Sequence, residues 1–72
     1  MITTQAPNSI LDRAAEVRSM CPEMRLGQFL ATVALLAEDE TGHSIWDVED
    51  VAFAAAIERF AADLARRARG PA

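Results

Sequence analysis

Two short segments, PEMRLGQF and WDVED, carry the polar groups best suited to recognising another charged group. In the first, Arg25 and Gln28 offer a guanidinium and an amide; in the second, Glu49 and Asp50 offer carboxylates. A guanidinium binds a carboxylate through paired hydrogen bonds, so these side chains predict either an internal lock between two helix ends or a ligand site. The internal lock is the favoured interpretation, because both acids also suit the first turn of a helix.

A second set of residues has the composition of a divalent-metal site. Six acidic side chains lie on either side of His43, the single histidine: Glu38, Asp39, Glu40, Asp47, Glu49 and Asp50. Calcium loops need oxygen ligands in a fixed alternation around a central glycine, and the residues before Gly42 lack that spacing. The favoured interpretation is a solvated acidic loop with an exposed His43, so neither a metal nor a cofactor is predicted.

The single cysteine, Cys21, permits two interpretations. It precedes a helix amino terminus, where the helix dipole favours a reactive thiolate, but it also lies on an apolar helix face, which favours a small buried hydrophobe. One cysteine cannot form a disulfide within the chain, and one cysteine with one histidine is too few for a closed zinc site. The sequence also lacks a phosphate-binding loop and a nucleophile elbow, so we expect a protein that is not an enzyme.

Three amphipathic helices must position these groups. We expect a flexible tail at residues 1–8, a single helical domain at residues 9–69 and a second tail at residues 70–72. The first helix is capped by Asn8 or Ser9; Pro22 ends it and can itself begin the second helix. Gly42 follows the second helix, and Asp47 is the expected cap of the third.

The predicted fold is all-α: a small three-helix bundle in which the second and third helices are antiparallel and the first packs across them. A chain of 72 residues buries only about 60% of its unfolded surface, so its core is marginal and association is expected. The expected dimer or partner face is the apolar side of the third helix, at Phe53, Ile57, Phe60 and Leu64.

The two segments also resemble a group of short bacterial and phage proteins of uncharacterised function. That group pairs a Pro-x-x-Arg-aliphatic/aromatic-Gly-Gln-aliphatic segment, here residues 22–29, with a downstream aromatic-x-x-Glu-Asp element, here residues 46–50. In this chain the connecting segment from Leu35 to Ser44 is longer and more acidic than in the group. The resemblance implies one structural or recognition unit made of Arg25, Gly27, Gln28, Glu49 and Asp50. It implies no reaction.

The leading hypothesis is a small helical protein–protein interaction module, an accessory or regulatory subunit that acts as a homodimer or with a protein partner. The alternative is a small DNA-binding regulator or antitoxin-like protein that would use Arg59, Arg66, Arg67 and Arg69. A net charge of −4 disfavours nucleic acid as a partner. A metal-dependent enzyme at His43 is a further alternative. The single thiol, and the lack of a leader or a long apolar run, predict a cytoplasmic protein without a membrane segment.

Overall fold

Three helices and one short turn of 3-10 helix make up the computed structural model, which describes the backbone of residues 5–68 and the side chains of residues 10–68. Helix α1 spans Gln5–Ser19, α2 spans Leu26–Thr41 and α3 spans Asp50–Ala68, with the 3-10 turn at Ile45–Asp47 between α2 and α3. The predicted all-α three-helix bundle is confirmed.

Helix α3 is the element against which both other helices pack. The start of α2 lies beside the end of α3, because Gln28 and Leu64 line the same cleft. These two helices therefore run in opposite directions, as the sequence predicts. Helix α1 runs in the same direction as α3: Ile10 lies near Ala54, and Met20 lies near Leu64.

The core forms where the apolar faces of the three helices meet. Its largest fully buried side chains are Val17 of α1, Phe29 and Val33 of α2, and Ile57 of α3. The rings of Phe29 and Phe60 are 5.6 Å apart between centroids and tilted by 58°. A tilted aromatic pair of this kind adds about 0.5–1.5 kcal/mol beyond the area it buries.

This core overturns the expected interface on α3. Ile57 and Phe60 are buried inside the monomer, while Phe53 and Leu64 are half-buried and pack against the same cluster. Helices α1 and α2 therefore cover the apolar stripe of α3, and these four residues do not form an open docking face. The spacing marked the buried side of α3 correctly, but spacing alone does not distinguish a face covered within the chain from one covered by a partner.

The helix ends differ from the sequence expectations at three places. Helix α1 begins at Gln5, inside the expected tail, and Pro7 lies in its first turn, where a missing amide hydrogen costs nothing. Pro22 lies in the turn before α2, which starts only at Leu26. Asp47 ends the 3-10 turn instead of capping α3, which starts at Asp50. The expected tail at residues 70–72 lies outside the described residues.

Gly42 ends α2 as expected. Its φ is 75°, in the left-handed region that glycine enters without strain, and its amide donates a 2.8 Å hydrogen bond to the Glu38 carbonyl. Both ends of α3 carry charges that suit the helix dipole, since α3 starts with Asp50 and has Arg66 and Arg67 in its last turn.

None of the helices in residues 5–68 combines the length and the apolar character needed to cross a membrane.

Two valines provide a matched test of this core. Val33 is buried and Val51 is exposed, so the same truncation removes packing at one site only. We expect Val33→Ala to lower the free energy of unfolding by at least about 1.5 kcal/mol, since two buried carbons and a cavity are involved. Val51→Ala should change it by less than about 0.5 kcal/mol. Urea denaturation followed by circular dichroism measures both, and equal losses would contradict the assigned core.

Candidate functional site

The structure does not bring together the residues of the predicted lock. Gln28 lines a cleft beside Leu64 at the end of α3, whereas Asp50 is the first residue of that helix. Leu64 and Asp50 are about 20 Å apart along the helix axis, at roughly 1.5 Å per residue. Arg25 and Gln28 therefore lie at one end of the bundle, and Glu49 and Asp50 at the other. The pairing fails because antiparallel helices place their amino ends at opposite ends of a bundle.

Arg25, Gly27 and Gln28 form an exposed start to α2. Arg25 is the residue before the helix, with extended backbone angles and no side-chain capping hydrogen bond, and its carbonyl accepts the Phe29 amide at 2.9 Å. A Cβ atom added at Gly27 would meet nothing within 4 Å. No close contact within the described chain therefore requires a glycine at position 27. A glycine in a helix lowers stability by about 1 kcal/mol relative to alanine.

The 3-10 turn presents the only tryptophan of the sequence almost entirely to solvent, since Trp46 is 91% exposed. The backbone on both sides of it is fixed: the Ile45 amide donates to Glu38 Oε2 at 2.8 Å, and the Asp47 amide donates to the Ser44 carbonyl at 2.8 Å. Val51, 75% exposed, follows at the start of α3. Trp46 is therefore a large apolar side chain on a well-anchored turn.

A second exposed apolar surface lies on α2, which we call the α2 outer face. Leu30 and Leu35, 48% and 66% exposed, lie at its two edges. Leu26, 57% exposed, lies on the side of Val33 and is exposed as the first residue of the helix. Helical spacing places Gly27, Ala31 and Ala34 between the two edges. Sequence reasoning missed this surface because apolar spacing does not show which side of a helix its own chain covers. The available clue was that no charged residue occurs between Arg25 and Glu38, so the first three turns of α2 have no charged side.

Opposite charges collect at opposite ends of the bundle. The acidic end contains the residues that close α2 and open α3: Glu38, Asp39, Glu40, Asp47, Glu49 and Asp50. The end where α2 starts and α3 finishes contains Arg25, Arg66 and Arg67, together with Glu23, which lines the same cleft as Arg67. Within each end some charges are already engaged, since Arg59 donates to Glu40 and Arg66 donates to Asp63.

One ion pair connects the first helix to the third. The Arg13 guanidinium donates to both carboxylate oxygens of Glu58, at 2.7 and 2.9 Å, and also to Glu16 within α1 at 3.1 Å. The hydrogen bonds from Arg13 lower the pKa of Glu58 below its ordinary 4.5, and those bonds raise the pKa of Arg13. A hydrogen bond to Glu40 likewise raises the pKa of Arg59.

Cys21 and His43 lie where the favoured interpretations put them. Cys21 is buried, and its thiol lies 3.6–3.7 Å from the carbonyls of Arg18 and Val17. It therefore packs as a small apolar residue. His43 is exposed in the loop after α2. No group of three or more His, Cys, Asp or Glu side chains in the described part of the chain is arranged to hold a metal ion.

Comparisons with protein-family models, with curated proteins and with solved structures found no match for this chain. Its function is therefore inferred from its own surfaces.

The separation of the two helix starts has a measurable consequence. We expect Arg25→Ala and Asp50→Ala to change the free energy of unfolding additively, within about 0.3–0.5 kcal/mol, because the two side chains lie too far apart to interact directly. A double-mutant cycle by urea denaturation measures the coupling. A larger coupling between them would contradict the opposite-end placement.

The Arg13–Glu58 pair predicts a defined dependence of stability on pH. Because the folded-state pKa of Glu58 is lowered, the pair stabilises the fold above about pH 4.5, and this contribution disappears as the pH falls through the lower folded pKa. We expect Glu58→Gln to lower the melting temperature by a few degrees at neutral pH and not at strongly acidic pH. Glu16→Gln is the control, since it leaves the α1–α3 link intact. A constant difference across the pH range would refute the assignment.

Proposed function

We propose that this chain is a small, non-enzymatic protein–protein interaction module, an accessory or regulatory subunit that anchors a partner protein through Trp46. The single observation that carries the proposal is the 91% exposure of Trp46 on a turn whose backbone is fixed by hydrogen bonds. The proposal includes a cytoplasmic location and action as a homodimer or with a protein partner.

An exposed tryptophan on an ordered turn is an unusual use of an apolar side chain. Aromatic residues bury about 150–250 Å² each, and Trp is among the residues enriched at the energetic centre of protein interfaces. The hydrogen bonds of Ile45 and Asp47 hold the turn before any partner arrives. Binding therefore loses less conformational entropy than it would from a disordered loop. Val51 adds a second exposed apolar group at the same end.

The charges near Trp46 indicate the chemistry of the partner. Asp47, Glu49 and Asp50 are all exposed close to it along the chain. We therefore expect the partner to offer an apolar pocket for the indole with arginine or lysine side chains at its rim. Such complementary charges raise the association rate and exclude partners of the wrong sign.

The DNA-binding alternative has less support. It relies on the arginines of α3, but Arg59 already donates to Glu40 and Arg66 to Asp63. Two of the cations on which that hypothesis depends are thus partly neutralised within the chain. Phosphate binding needs such charges to displace counterions from the nucleic acid, so their engagement weakens the case.

The test of the proposal is the affinity of the Trp46→Ala variant for a purified partner. Partners are captured from source-cell lysate with the tagged wild-type protein, purified, and titrated against each variant by calorimetry. We expect Trp46→Ala to weaken binding by at least about 30-fold, which corresponds to the roughly 2 kcal/mol of a central interface residue. Leu11→Ala, at an exposed leucine of α1, is the matched control and should bind as wild type.

A spectroscopic experiment follows Trp46 directly. Because the sequence has one tryptophan, 5-fluorotryptophan labelling gives a single fluorine resonance. That resonance should shift on binding as the indole leaves water. Unchanged affinity of Trp46→Ala together with an unshifted resonance would overturn the proposal.

A further inference from the structure

We propose that the sulfur atoms of Met20, Cys21 and Met24 bind one Cu(I) ion in the cleft between the α1–α2 connection and the end of α3. These three side chains line that cleft together with Leu64 of α3, and we call it the sulfur cleft. It lies at the opposite end of the bundle from the Trp46 turn. The inference therefore does not rest on the proposed protein–protein function.

The concentration of sulfur in one place is the first support. The sequence contains three methionines and one cysteine, and three of these four side chains line the sulfur cleft. Cys21 is 4% exposed, Met24 is half-buried and Met20 is 48% exposed. The three groups thus extend from the core to the surface, which gives an ion a path from water to the buried thiol.

The backbone holds the three residues close together. The Met24 amide donates a 3.0 Å hydrogen bond to the Cys21 carbonyl, which closes a tight turn with Pro22 in the position that proline favours. Such a turn brings its first and fourth Cα atoms within about 7 Å, and the Cα atoms of Met20 and Cys21 are neighbours at about 3.8 Å. The Met20 and Cys21 amides are themselves bonded to carbonyls of α1. The ligands are therefore carried on a preformed loop.

The ligand types identify the ion. Thiolate and thioether sulfur are soft donors that suit Cu(I), whereas Mg²⁺ and Ca²⁺ prefer oxygen. Three sulfur ligands complete the trigonal coordination that Cu(I) commonly adopts. Zinc closes a structural site with four nitrogen, oxygen or thiolate ligands, and the sulfur cleft offers one thiol and two uncharged thioethers. Sequence reasoning that looked for metal sites among acids, histidine and cysteine did not consider this set.

The charges of the sulfur cleft are compatible with a cuprous ion. On binding, the Cys21 thiol loses its proton to water, so the thiolate and Cu(I) together are neutral. The thiol now makes only long contacts, 3.6–3.7 Å, to carbonyls of α1, and a thiol is a weak donor, so little is lost when the sulfur turns to a metal. Glu23 and Arg67 also line the cleft, and their opposite charges leave the neutral centre without net repulsion.

Replacement of sulfur by carbon separates metal binding from simple packing. Methionine and cysteine also serve as apolar fillers at helix junctions. Leucine matches the volume of methionine closely enough to preserve a core, but it offers no donor atom. A variant with Met20→Leu and Met24→Leu together, the double-leucine variant, should therefore keep its fold and lose the site.

The first test titrates Cu(I) into reduced protein without oxygen, in competition with the coloured chelator bicinchoninate. We expect the wild type to bind one Cu(I) per chain and the double-leucine variant to bind it at least about tenfold more weakly, since loss of even an outer-shell group costs about 10–100-fold in metal affinity. His43→Ala is the control and should bind as wild type, because the single imidazole of the sequence lies in the loop after α2. A wild type that takes no Cu(I) from the chelator, or a double-leucine variant that binds as tightly, would overturn the proposal.

A second test uses thermal stability and the identity of the ligands. Cu(I) should raise the melting temperature of the wild type, because it binds the folded state. The double-leucine variant should keep a cooperative transition without that rise, and so should Cys21→Ala, which retains a small apolar side chain at a buried position. X-ray absorption at the copper edge should show sulfur neighbours only. Nitrogen or oxygen neighbours, or displacement of Cu(I) by an excess of Zn(II), would refute the three-sulfur site.

Discussion

The packing of Phe29 against Phe60 is the contact on which the rest of the fold depends. It fixes α2 on α3 through two rings whose centroids are 5.6 Å apart, within a core that also takes Val17 from α1. Because α1 and α2 both pack on the apolar stripe of α3, that stripe is covered within the chain. Any association must therefore use apolar side chains that the bundle leaves outside, among them Leu11 of α1, Leu35 of α2 and Trp46.

Periodicity and helix-end chemistry were sufficient to predict the architecture. The three-and-four spacing of apolar residues predicted three helices. Gly42 predicted the end of α2, because the residue after a helix often takes the left-handed backbone conformation that glycine adopts without strain. The starts of helices were less accurate. Pro22 and Asp47 each suit a first turn, yet both lie in connections, since local preference does not determine how much chain the packing of two helices requires in between.

The candidate site was harder to predict because its residues are defined by the relative placement of the helices. Arg25 and Asp50 each have the right chemistry for a pair, but the direction of α2 and α3 separates them. The exposure of Leu30 and Leu35 could not be predicted, because a helix with apolar residues on most of its circumference does not reveal which side its own chain covers. Surface exposure of Trp46 is likewise a tertiary property, set by the turn that the Glu38 side chain anchors.

The dependence of α1 on α3 has a consequence for the order in which the molecule is made. Arg13 bonds to Glu58, which lies 45 residues later in the chain, and α1 packs chiefly on α3. During synthesis on the ribosome α1 emerges before α2, and its main packing partner α3 follows only after α2, at about 5–20 residues per second. Nascent α1 thus spends seconds as an unpartnered amphipathic segment, and it is during this interval that chaperones would find its apolar side uncovered.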